Sequence, residues 1–230
     1  MLGGRGYNTT RFMIYKHIQK YNELWEKSQI SLPVVVMIGG YAGTGKSTLA
    51  KIISGYLNYL NLIPTGILRS LLKGYISAQD NPALYYHTYD LHQLIPKKFT
   101  GKAASEITRL FLNQVKPLNR GLINLINFAA REKQHYLIEG NHIFPGLLET
   151  NPNVIQIEFY LKVSDPQQHR LMLGGPTHNR ALDDEQFQTG RILQDFIINE
   201  AESKNKYLYE YNEAECLALQ LIDETLKSYV

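Results

Sequence analysis

Cysteine is nearly missing from this sequence: Cys216 is the only one in 230 residues. No internal disulfide framework can exist, and Cys216 is expected to pack as a small apolar residue in a C-terminal helix. An excess of either charge is missing too. Lys and Arg total 24 against 21 Asp and Glu, a formal net charge of +3, and no long basic run occurs. That balance argues against nucleic acid as a partner and suits an enzyme with two anionic substrates. Long apolar stretches are lacking as well. The longest, around residues 32–38, is far too short to cross a bilayer, and the first seven residues have no apolar core of leader type. The expectation is a soluble, cytoplasmic protein with no membrane partner. Repeats and low-complexity tracts are absent, and the length allows one sizeable α/β core rather than two full domains.

What the chain does contain is a phosphate-binding signature. Gly40-Tyr41-Ala42-Gly43-Thr44-Gly45-Lys46-Ser47, followed by Thr48, fits G-x-x-x-x-G-K-[ST]. The apolar, β-branched run at 33–38 before it reads as a buried parallel strand, and the amphipathic segment 47–60 after it reads as a helix. In that setting loop amides and a helix N-terminus converge on a phosphate. Lys46 then reaches the β- and γ-phosphates, and the Ser47 hydroxyl takes a place on Mg²⁺. The partner implied is a nucleoside triphosphate, ATP with Mg²⁺.

Apolar periodicity predicts a helix over 9–28, capped by Thr9 or Thr10, as an N-terminal extension (residues 1–32) to a kinase domain at 33–230. Further expectations are a short strand near 62–65, a helix over 67–76, and an irregular excursion over 77–98. A long helical region over 102–133 is broken near Pro117, and strands follow at 136–139 and 154–163. A turn-rich segment over 164–184, a helix over 185–204, a strand at 207–211 and a helix over 213–229 complete the chain. Strands alternating with helices imply an α/β fold: a three-layer P-loop NTPase architecture of nucleoside-monophosphate-kinase-like type, its parallel sheet covered by helices on both faces. Ligands in such sheets sit beyond the carboxyl ends of the strands.

That rule selects the candidates. Glu139 ends an apolar strand and can hold Mg²⁺ through water or accept a substrate proton, with His142 close behind to meet an anionic substrate. Arg69 follows the second strand end and can clamp a phosphate or carboxylate. Arg170 and Arg180 lie in the segment 164–184, read as a lid that closes on ATP and neutralises charge during transfer. The run Tyr85-Tyr86-His87-Thr88-Tyr89-Asp90 can line an acceptor pocket, with Asp90 as a reserve proton acceptor.

Taken in order, these segments resemble the 2-phosphoglycerate kinases and their relatives among P-loop kinases. The likeness runs over roughly 33–228: the loop opening at Ile38, His87-Thr88-Tyr89-Asp90, Leu137-Ile138-Glu139-Gly140-Asn141-His142, Gln168-His169-Arg170, and the helical stretch Arg191-Ile192-Leu193-Gln194-Asp195. The resemblance implies ATP- and Mg²⁺-dependent phosphorylation of a small acid bearing a hydroxyl. One departure stands out: after the second strand the family shows an acid, where this chain has Pro64-Thr65-Gly66 before Arg69. Besides a small-molecule kinase with a small anionic acceptor, two alternatives follow: a nucleotide-binding sensor derived from such a kinase, and a polynucleotide or nucleotide-sugar kinase. An oligomer is left open.

Overall fold

The computed structural model describes residues 15–58, 60–96, 103–175 and 181–230. Among them, five strands form one parallel sheet in the order β2-β3-β1-β4-β5: β1 (Val34–Gly40), β2 (Asn61–Pro64), β3 (Tyr136–Glu139), β4 (Ile155–Lys162) and β5 (Tyr207–Glu210). β1 is central and buried along its whole length, which accounts for its unbroken apolar sequence.

Side-chain alternation along β1 divides the core in two. Val35 and Met37 face a cluster built with Phe111, Val115 and Leu122 of helix α4 (Ala103–Glu132) and Leu193 and Ile197 of α6 (Asp184–Ser203). Val34, Val36 and Ile38 face the opposite cluster, with Leu49 and Ile53 of α2 (Lys46–Ser54), Ile18 of α1 (Lys16–Glu26), and Leu219 and Ile222 of α7 (Ala214–Leu226). The result is the expected three-layer α/β arrangement. Two short helices complete it, α3 (Thr65–Leu72) and α5 (Pro166–Leu173). No helix among the described residues is long and apolar enough to cross a membrane.

Several local expectations change. The proposed caps Thr9 and Thr10 lie outside the described residues; α1 is instead capped by Asp223 of α7, whose Oδ1 accepts from the amides of His17 (2.8 Å) and Ile18 (3.0 Å). Pro117 does not break α4. A proline removes the amide that would bond to the carbonyl four residues back, and the Asn81 side chain donates to that carbonyl, Asn113 O, at 2.7 Å. The excursion 77–98 contains two 3₁₀ turns, Pro82–Tyr85 and Thr88–Leu94. The segment read as turn-rich holds the regular helix α5, its first turn capped by Asp165, whose carboxylate accepts from the Gln167 amide. Cys216 sits on α7 but is exposed rather than packed.

Candidate active site

The glycines after β1 shape the candidate anion cradle by close approach. A Cβ on Gly40, at φ +122°, would stand 2.4 Å from the Leu161 carbonyl oxygen on β4, so only glycine lets the loop leave the sheet there. Gly43 and Gly45 also carry positive φ, and α2 starts directly after at Lys46. The Lys46 side chain is buried, and its ammonium donates to the Tyr41 carbonyl and to Thr44 Oγ1 (3.4 Å). Ser47 Oγ donates to Glu139 Oε1 at 3.0 Å. Sheet register explains this meeting across 92 residues: Glu139 is paired with Ile38 of β1 on one side and Pro64 of β2 on the other. Thr48 is exposed one step along α2.

Beyond these strand ends lies a cleft of about 200 Å³. The cradle contributes Ala42, Gly43, Gly45, Lys46 and Ser47; facing them are Pro64, Thr65, Gly66 and Arg69, the turn at His87, Thr88 and Tyr89, and the loop from Glu139 to His142. His142 is buried and its ring ties this far side together. Its Nε2 lies 3.3 Å from Gln114 Oε1 and its Nδ1 lies 3.1 Å from Thr65 Oγ1. The Gln114 amide nitrogen faces two backbone carbonyls, Ala83 (2.5 Å) and Tyr86 (3.0 Å), which can only accept. The amide oxygen therefore points at His142, whose proton sits on Nε2, and Thr65 donates to Nδ1. Burial, then the charges of Arg69 and Lys46, press the His142 pKa from 6.5 to about 3, so the ring is neutral. Gly140, at φ +150°, leaves the room this needs: a Cβ there would fall 1.8 Å from Thr65 Oγ1. The Arg69 guanidinium donates to the Tyr86 carbonyl that Gln114 also holds.

No protein-family model matches the chain. It is similar to curated proteins named 2-phosphoglycerate kinase. That of Methanopyrus kandleri is 26% identical over 202 residues, 84% of this chain and 58% of the relative. Those of Methanococcus maripaludis (24%; 83% of this chain, 64% of the relative) and Methanocaldococcus jannaschii (24%; 94% and 72%) agree. The likeness is to a 2-phosphoglycerate kinase-like family. It spans about three fifths of the length of the first two relatives.

Some segments that carried the family resemblance turn out to hold the site rather than line it. Arg170 points away from the cleft: it pairs with Asp184 at 2.7 Å and covers the Phe187 ring at 4.3 Å. Its neighbour His169 does the work at the loop. The ring is fully buried, donates from Nε2 to the Ala42 carbonyl at 2.7 Å, and receives Arg191 at Nδ1 (3.4 Å). Burial leads in lowering its pKa, partly countered by the Ala42 bond. Arg191 also donates to the Val163 carbonyl, and the Gln194 side chain bonds both the amide and the carbonyl of Val163. The shared Arg191 and Gln194 thus anchor the end of β4, and His169 clips α5 onto the phosphate loop.

Asp90 does not line the cleft either; its carboxylate accepts from Gln186 at 2.8 Å. Arg180 lies outside the described residues. Sequence reasoning missed Thr65, Gln114 and His169. A signal existed for Gln114, which falls in the apolar stripe of α4 between Phe111 and Leu118.

Proposed function

We propose that this chain is an ATP- and Mg²⁺-dependent kinase that moves the γ-phosphoryl group to a hydroxyl of a small anionic metabolite, 2-phosphoglycerate or a close analogue. One observation carries the reading: a single cleft holds a triphosphate cradle on one side and a guanidinium, Arg69, on the other. The loop amides and Lys46 bind the β- and γ-phosphates, and Arg69 binds the carboxylate or phosphate of the acceptor. Thr65 and Asn141 line the space between.

The donor set fits magnesium. Mg²⁺ is held by one or two carboxylates with substrate phosphates and retained waters, and the pair of hard oxygens at Ser47 and Glu139 matches that demand. When bound, the ion neutralises charge on the phosphate oxygens. Glu139 orients the Ser47 hydroxyl, and the neutral His142 holds Thr65 in place without supplying charge. Phosphoryl transfer of this loose kind asks mainly for position and electrostatics. Residues 1–32 are the extension, docked through α1 on the kinase domain, and the cytoplasm is the compartment that supplies the nucleotide.

A second reading, a nucleotide sensor, is favoured by Gly66. A side chain there would meet nothing within 4 Å, so the chain leaves empty the place where the resembled family carries its acid. Purified protein with Mg-ATP and a panel of phosphorylated hydroxy acids separates the two. Product with any acceptor supports the kinase and rejects the sensor. ATP binding without product, with turnover appearing in Gly66→Asp, supports the sensor.

A further inference from the structure

Gln114 is a polar side chain in an apolar place. It shares a face of α4 with Leu110, Phe111 and Leu118, and it has no exposed surface. A buried amide is costly unless its donors and acceptor are met. Here the two N–H groups go to the carbonyls of Ala83 and Tyr86, and the oxygen receives His142. His142 lines the cleft and Tyr86 directly precedes its lining turn at His87, Thr88 and Tyr89; Gln114, which does not line it, joins the two. The Tyr86 carbonyl also receives Arg69, and His142 receives Thr65. Both Arg69 and Thr65 do line the cleft, from α3 rather than from the phosphate loop.

We propose that Gln114 is a positioning residue for the acceptor half of the cleft, setting Arg69 through the Tyr86 carbonyl and the Thr65 hydroxyl through His142. The assignment rests on the kinase reading for what this half binds. Gln114 touches no substrate and takes no proton. An apolar residue of similar length would fill the volume, yet it would leave the turn, the arginine and the histidine without a common reference point.

The test compares wild type, Gln114→Met and a control, Leu118→Ala, which trims a fully buried residue from the same helix face. Steady-state kinetics are run with Mg-ATP and 2-phosphoglycerate, and the His142 ring is observed by ¹⁵N NMR. Gln114→Met is expected to raise the KM for 2-phosphoglycerate roughly 10- to 100-fold while the KM for ATP stays within about twofold. Its His142 loses the fixed Nε2–H form. Leu118→Ala is expected to be less stable with both KM values unchanged. A parallel rise in both KM values, or the same acceptor defect in Leu118→Ala, overturns the proposal and makes the amide merely structural. So does a wild-type His142 protonated on Nδ1, a measurement that needs no variant to fold. If wild type forms no product, the kinase reading falls alone, and the wild-type tautomer with its loss in Gln114→Met decides for or against Gln114.

Discussion

The two halves of the cleft are made of different material. The half proposed to take the phosphates is one contiguous stretch, 40–47, of backbone amides, three left-handed glycines and a helix start, with Glu139 added from the next strand. The half proposed to take the acceptor has no such stretch. It is assembled from the end of β2, the turn at 86–89, the loop after β3 and a glutamine on α4, joined by side-chain hydrogen bonds. A backbone cradle demands a spacing; a side-chain network demands only that residues far apart in sequence arrive together. Each half also has its own buried neutral histidine, His169 over the phosphate loop and His142 in the acceptor wall.

Four experiments would break or sharpen that contrast. Removing the one charge of the cradle should matter most: Lys46→Ala is expected to cut kcat by roughly 10²–10³-fold with the melting temperature preserved. Unchanged turnover there would refute the assigned site. Gly140→Ala tests how tightly the acceptor half is packed. The new Cβ would collide with Thr65 at a positive φ, and a loss of about 3 kcal/mol in urea unfolding is expected. A stability within error of wild type would mean the Thr65–His142 contact is loose.

Acid pH probes the histidines. The folded state holds His142 near 3 against 6.5 when unfolded, so the unfolded chain takes up the proton first. This group costs nothing above pH 6.5, and stability is lost as pH falls through the window from 6.5 towards 3, by up to about 1.4 kcal/mol per pH unit. Urea melts at pH 7, 6 and 5 should show a shallower decline in His142→Asn than in wild type; identical slopes would contradict the buried neutral ring. The smallest effect belongs to Asp90. Its partner is Gln186 rather than the cleft, so Asp90→Asn should keep kcat within about twofold, whereas loss of a general base removes roughly 10²–10⁴-fold.

The same contrast explains what could be read in advance. Val34 to Ile38, the glycines and Lys46-Ser47 announce strand, loop and helix through local spacing alone, and the Glu139 position follows once the sheet is taken as parallel. Arg170 and Asp90 misled because a charge next to a motif says nothing of which way it points. Arg170 turned to Asp184 and Phe187, leaving the loop to His169. Gln114 stands out in the sequence only as a polar residue in the apolar stripe of α4; the fold alone puts Ala83, Tyr86 and His142 around it.

By itself, the order of residues determined the alternation of strands and helices, the place of the phosphate loop and the family likeness, because these depend on periodicity and on neighbours a few positions away. Only the folded chain decided that Gln114, behind the cleft, ties together Thr65, Arg69 and His142 that line it, and that His169 and not Arg170 meets the loop. Those contacts span 17 to 127 residues of sequence, and burial selects partners for polar groups only after the strands have chosen their neighbours.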